Sequence, residues 1–306
     1  MPVRRSALLL AAPVALLAAA CAQRAAGRGE HAEHDTTAAS QTAPGTAGAA
    51  GEDRALPPSA EAAPARLASS PRHGEYVMIA SAPGSADSVR LWVVYPERST
   101  KAPVVVVIHE IFGLSGWVRA VADQLAADGY IAIAPDFLTG KRLPGAPDNV
   151  PLDSAVAAVR TLKPADVLRN VRAAAQYGTS LPAALPKYGV VGFCWGGSMV
   201  LAEAATDPQL GAAVAYYGAV PPEVQLSNTK APVLRLHGEN DARVNATIPA
   251  ADSALRAAGV PFEKEVYPGA GHGFLRQQDG QGGANLAATQ AAWPRTLAFF
   301  RQHLGA

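Results

Sequence analysis

The sequence predicts an α/β fold, a mostly parallel central sheet with helices on both faces, and three observations carry that expectation. Val104 to Ile108 and Tyr130 to Ala134 are unbroken apolar runs of strand length, the pattern of strands covered on both sides. Stretches of helical periodicity, 118–127 and 154–176, separate these runs from one another and from Tyr188-Gly189-Val190-Val191. Phe262 to Tyr267 alternates instead, as an edge strand covered on one face does. Strands alternating with helices in this way build parallel sheets.

Each element follows in order. Tyr76 to Ile79 and Val89 to Tyr95 read as two strands in an antiparallel start, followed by the strand ending at Ile108. The strand ending at Ala134 gives way to a Pro- and Gly-rich loop, 137–151, and then to a helical stretch, 154–176, broken at Pro164. Ala212 to Tyr217 and Pro232 to His237 are further strands, Ile248 to Ala257 a helix, and Ala284 to His303 a closing helix kinked at Pro294. These elements form one domain, 73–306.

The first 72 residues are of another kind. Arg4 and Arg5 precede an uncharged apolar run, Ala7 to Ala20, which is short for a membrane span and ends in small residues ahead of Cys21. Residues 1–21 therefore read as a signal peptide. Leu17-Ala18-Ala19-Ala20-Cys21 resembles a bacterial lipobox with Ala18 where Leu is usual, so lipidation of Cys21 and ordinary cleavage are both open. The twin arginines add export in the folded state as a weaker alternative. The expected location is outside the cytoplasm, periplasmic or as a membrane-anchored lipoprotein, with an N-terminal lipid as the sole membrane contact. Residues 22–72, dominated by Ala, Gly, Ser, Thr, Pro and Glu, read as a disordered tether. His31 and His34 lie there without a third ligand and read as solvated side chains.

Composition narrows the function classes. A formal net charge of +1 over 306 residues gives no basis for nucleic acid binding. Two cysteines, Cys21 and Cys194, imply no disulfide framework, and no Cys/His spacing suggests zinc. No cofactor or metal is called for, and the chain is expected to act as a monomer on a small molecule.

The chemistry gathers at three strand ends. Gly192-Phe193-Cys194-Trp195-Gly196-Gly197 stands between a strand and a helix, the setting of a nucleophile elbow, with Gly192 and Gly196 where side chains would collide. Asp241 follows the strand ending at His237, and His272 lies in Gly269-Ala270-Gly271-His272-Gly273-Phe274 after the last strand. Nucleophile, acid, histidine is the order of the α/β-hydrolase triad. A cysteine attacks as thiolate and needs a proton acceptor, which histidine supplies and an aspartate orients. Glu239 competes with Asp241 for that last role. Glu110 ends the first long strand, at the mouth of the site, where a salt bridge or a helix cap would also explain it. The backbone N–H groups of Ile111 and Trp195 are the expected oxyanion donors. His109 is given no role.

With these motifs in view, the sequence resembles the dienelactone hydrolase (carboxymethylenebutenolidase) family of the α/β-hydrolase superfamily, over roughly residues 74–304. The marks are Glu110-Ile111-Phe112-Gly113, the Gly-Phe-Cys-Trp-Gly-Gly elbow, the Asp241 loop and Gly271-His272-Gly273-Phe274. The resemblance implies a hydrolase cleaving an ester or lactone through Cys194, His272 and Asp241. It implies that Glu110 contacts the resting thiol and helps to deprotonate it when substrate binds, and that Arg276 holds a substrate carboxylate. It also implies a second substrate-binding arginine between the Asp136 strand and the elbow, where 137–163 departs from the family and Arg142 and Arg160 are the two candidates. Export is a further departure from the cytoplasmic members that degrade chloroaromatics. Two other readings therefore stand beside the family's: a broad-specificity exported thiol esterase acting on neutral esters, and a non-catalytic surface binding protein on a hydrolase fold.

Overall fold

The chain enters its sheet antiparallel and then turns parallel. The computed structural model describes residues 53–146 and 149–305, which belong to the unit Ala49–Ala306. The elements are α1 (Ala63–Ala68), β1 (Gly74–Ala80), β2 (Ser88–Val94), β3 (Ala102–Ile108), α2 (Gly116–Ala127), β4 (Ile131–Asp136), α3 (Leu152–Val159), α4 (Pro164–Ser180), β5 (Ala184–Phe193), α5 (Trp195–Thr206), β6 (Ala212–Tyr216), β7 (Val233–Gly238), α6 (Ala242–Asn245), α7 (Ile248–Ala258), β8 (Phe262–Tyr267) and α8 (Ala284–Leu304).

The sheet has eight strands in the order β1-β2-β4-β3-β5-β6-β7-β8. β1 and β2 pair antiparallel, β2 joins β4 antiparallel, and all later pairings are parallel. The expected antiparallel start, the break at Pro164 and the edge position of Phe262–Tyr267 are therefore present.

Side-chain alternation divides the sheet between two cores. Val105, Val107, Val214, Leu234 and Leu236 pack under α1, α2 and α8. Val104, Val106, Ile108, Ala213 and Val233 face the side of α4, α5 and α7. All seven residues of β3 are buried, as its apolar run requires, and each such valine contributes about 1.5–3 kcal/mol by leaving water. The parallel strands deliver their carboxyl ends to one edge, where ligands bind in open α/β sheets.

One sequence expectation is corrected. The tether was expected to run disordered to residue 72, yet residues 53–72 pack on the domain. Leu56, Ala63 and Arg66 are buried there. Arg66 donates to the Leu56 and Asp53 carbonyls and to Gln124 Oε1, and Arg72 clasps Asp123 with two hydrogen bonds. Composition predicts disorder because few large apolar side chains occur; backbone carbonyls and two arginines hold the segment together with the few that do, Leu56 and Leu67. The folded unit thus begins before residue 73. The signal peptide, the lipobox, His31, His34 and tether residues 22–52 lie outside the described residues.

Candidate active site

The elbow is built by crowding. A Cβ on Gly192 would lie 2.4 Å from the Gly196 carbonyl oxygen, and one on Gly196 would lie 2.3 Å from that of Ile108. Only glycine fits either place, because backbone cannot retreat from backbone. Between them Cys194 is held at φ +56° and ψ −117°, outside the regions that side chains ordinarily occupy. Its amide donates to the Tyr216 carbonyl at 3.1 Å, and its half-buried thiol stands at the start of α5. Strain held by the packing of the sheet end is a common mark of functional positions.

His272 stands between the thiol and an acid. Its Nδ1 is 2.5 Å from Asp241 Oδ2, and Cys194 is near enough to act on its pKa. Burial alone would lower the imidazole's basicity; the Asp241 hydrogen bond and the charges of Asp241 and Cys194 outweigh it and raise the pKa to about 9. Burial opposes ionisation of Asp241 too, yet His272 and the Val244 amide hold its carboxyl below the usual range. Asp241, not Glu239, meets the histidine. Glu239 Oε2 instead accepts from the Gly269 amide at 2.8 Å, which ties down the loop that carries His272.

Glu110 has a different partner from the one the resemblance implied. The Arg276 Nε is 2.8 Å from Glu110 Oε1, off the axis of a well-aligned hydrogen bond, so the contact is chiefly coulombic. The guanidinium also lies over the Phe112 ring, 4.7 Å from its centroid. Burial pushes the Glu110 carboxyl up to about 7, against the opposing pull of Arg276 and His272. Near neutrality this group exchanges a proton easily.

Ile111 follows β3 and Trp195 opens α5 beside Cys194, and neither amide hydrogen has a backbone acceptor outside helices and strands among the described residues. His109 links the two sides. Its fully buried ring stacks on Trp195 at 5.6 Å and tilts against Phe137. Its Nδ1 lies 2.7 Å from the Glu110 carbonyl, so the proton sits on Nδ1 and donates there. Burial lowers its pKa and keeps it neutral. Arg142 and Arg160 are exposed, and neither contacts Glu110, Cys194 or His272 among the described residues.

Sequence reading missed Tyr217. It follows β6 with φ +38° and is fully buried, with its ring 5.1 Å from that of His272. Its hydroxyl has no hydrogen-bond partner. Burial, and then the charges of Glu110 and Cys194, push its pKa well above the ordinary range while Arg276 opposes. The signal was available: Tyr217 sits at the carboxyl end of a parallel strand, as Cys194 does.

A sheet of this topology, with a strained elbow after its fifth strand and reactive loops at the carboxyl ends, is the α/β-hydrolase fold. Residues 89–304 match the dienelactone hydrolase family, and the chain belongs to that family of hydrolases acting on esters and lactones. It is 34% identical to a "putative carboxymethylenebutenolidase" of Salmonella typhimurium, across 74% of this chain and 87% of that protein. It is 28% identical to a "probable 2-oxo-3-(5-oxofuran-2-ylidene)propanoate lactonase" of Bradyrhizobium sp, across 72% and 92% of the two chains. A crystal structure described as a "putative dienelactone hydrolase" of Klebsiella pneumoniae superposes with a TM-score of 0.65 at 29% identity, covering 76% of this chain and 99% of that one.

Proposed function

We propose that this hydrolase cleaves a carboxylate-bearing ester or lactone through a Cys194–His272–Asp241 triad. The observation that carries the reading is the imidazole itself, bonded on one side to Asp241 and interacting on the other with Cys194, with its pKa raised to about 9. A histidine made this basic and oriented by Asp241 is suited to take the thiol proton as the sulfur attacks. The Cys194 sulfur attacks the carbonyl carbon while the amides of Ile111 and Trp195 receive the oxyanion. Collapse expels the alkoxide, which takes a proton from the His272 imidazolium, leaving a thioester. Neutral His272 then takes a proton from water, the hydroxide adds to the thioester, and the carboxylic acid leaves as the sulfur departs.

Arg276 selects the substrate. Planar guanidinium matches carboxylate, so a substrate anion exchanges with Glu110 for it. Glu110, whose carboxyl pKa is raised by burial and lowered by Arg276, becomes more basic once Arg276 turns to the substrate, and so serves as a second acceptor for the thiol proton. The name of the Bradyrhizobium relative describes a lactone that carries a carboxylate, which is consistent with such a clamp. The same ion pair favours the alternative of neutral esters, because a guanidinium already neutralised demands no anion. Turnover of dienelactone and of neutral aryl esters, before and after thiol alkylation, separates the two. Preference for the anionic lactone, abolished by alkylation, supports the clamp; equal turnover supports the broad esterase, and alkylation-resistant turnover removes Cys194 from the reaction.

The N-terminal sequence supports export of this enzyme, with either cleavage before or lipid on Cys21. Intact mass of the mature protein from its own host decides between them, and an unprocessed Met1 in the cytoplasmic fraction rejects both.

A further inference from the structure

The ordered segment ahead of β1 touches the active-site loop directly. The Ala60 amide donates to the carbonyl of Arg276 itself at 2.9 Å. Gln278 Nε2 donates to the Pro57 carbonyl at 2.9 Å and to the Leu275 carbonyl at 3.1 Å, stitching segment and loop together. Trp117 Nε1 donates to the Pro58 carbonyl at 3.0 Å. Trp117 in turn sets its edge against Phe193, the residue before the nucleophile, with centroids 5.0 Å apart. Three acceptor and donor sites within four residues, Pro57, Pro58 and Ala60, thus reach the Arg276 loop and, through α2, the elbow.

The segment is anchored rather than draped. Leu56, Pro57 and Pro58 are buried, Leu56 sits in the core under α2, and the buried Arg66 binds Gln124 of α2. The two prolines restrict the backbone before ordering, which lowers the entropy cost of holding it in place.

We propose that residues 56–60 form a positioning strap that fixes the backbone at Arg276, so that its guanidinium reaches both Glu110 and a substrate carboxylate without movement of the loop. This inference rests on the carboxylate-clamp reading above and adds a residue set outside the reactive groups. Beyond its own turn bonds, in which the Arg276 and Gln277 amides both donate to Gly273, the loop is tied to α8 on either side of Arg276, by Asn285 Nδ2 donating to the Gln277 carbonyl at 2.7 Å and Thr289 Oγ1 donating to the Phe274 carbonyl at 3.3 Å; the Arg276 carbonyl itself is held by Ala60. Losing the strap should cost ground-state binding of an anion more than it costs the chemistry at Cys194.

The test uses the full chain. Gln278→Ala removes one tie, Ala60→Pro removes the amide that binds Arg276, and Ala60→Gly keeps that amide as the control. KM and kcat are measured on a carboxylate-bearing ester and a neutral ester, together with amide exchange at Arg276 and Gln277. The strap predicts that Gln278→Ala and Ala60→Pro raise KM for the anionic ester about threefold to tenfold, leave the neutral ester's KM and both kcat values within about twofold, and speed exchange at both amides; Ala60→Gly resembles the parent. Equal changes on both esters, or unchanged exchange, overturn it. If Ala60→Pro does not fold, Gln278→Ala decides alone. If the parent turns over neither ester, the clamp reading fails, while unchanged exchange in Gln278→Ala still counts against the strap.

Discussion

Two buried glutamates, at opposite ends of the sheet, show how alike the ionisation of a group proposed to take part in the reaction and of a structural one can be. Glu110 lies at the carboxyl end and Glu203 near the end of α5, beside the start of β5. Burial pushes both carboxyls up to about 7, and in both an arginine opposes the shift. Their bonding differs. Glu203 receives two hydrogen bonds from Arg172, each 3.1 Å, with the Tyr188 hydroxyl at 3.5 Å, and Tyr188 also bonds Asp207. Glu110 has one poorly aligned contact with Arg276, and His272 and the unpartnered Tyr217 hydroxyl lie close enough to feel its charge. A displaced pKa therefore does not locate chemistry by itself. The informative difference is spare bonding capacity at the carboxyl end of the sheet: Glu203 is spent on the fold and Glu110 is available.

The comparison can be broken most forcefully at the sulfur. Cys194→Ala should lower kcat/KM on any accepted ester by about 10,000-fold or more with stability little changed, measured by steady-state hydrolysis beside thermal unfolding. Next in size, Arg276→Ala should raise KM for a carboxylate-bearing lactone about 30-fold, the worth of a charged hydrogen-bonded pair, and spare neutral esters; equal losses on both would remove the clamp. Glu110→Gln should lower kcat/KM for the anionic substrate about tenfold and erase an inflection near pH 7 from its profile. The high-pH loss, as the His272 imidazolium deprotonates near 9, should stay.

Glu203→Gln sharpens the other side, with the smallest effect on turnover. Kinetic constants should stay within about twofold, since no reacting group touches this site. Stability is where it reads out. A carboxyl whose folded pKa is raised from 4.5 to about 7 binds its proton more tightly in the folded state. Its contribution is full below 4.5 and is lost as pH rises through about 7. Denaturant titrations of Glu203→Gln should show a flatter pH dependence of stability over that window than the parent; an unchanged slope would contradict the assignment.

Much of this was legible in the chain. Val104–Ile108 declared a doubly covered strand because every residue is apolar, and Gly192 and Gly196 declared the elbow because no other side chain fits. Asp241 and His272, which do meet, are singled out by one rule, that ligands and reactive groups collect at the carboxyl ends of parallel strands, and the same rule applied to Tyr216-Tyr217-Gly218 singles out Tyr217. The Glu110–Arg276 pair was not legible, because it joins loops 166 positions apart in sequence and depends on side-chain reach. Nor was the strap. Its ties run through the carbonyls of Pro57 and Pro58 and the amide of Ala60, groups that every sequence possesses and that composition cannot weigh.

The central claim is covalent and can be tested as such. A slowly deacylating ester, mixed with the parent enzyme, quenched in acid and mapped by peptide mass, should leave its acyl group on Cys194 and on no other residue, with the adduct persisting longer in His272→Ala. Turnover without any acyl group on that cysteine, or an adduct at a hydroxyl elsewhere, would contradict the account.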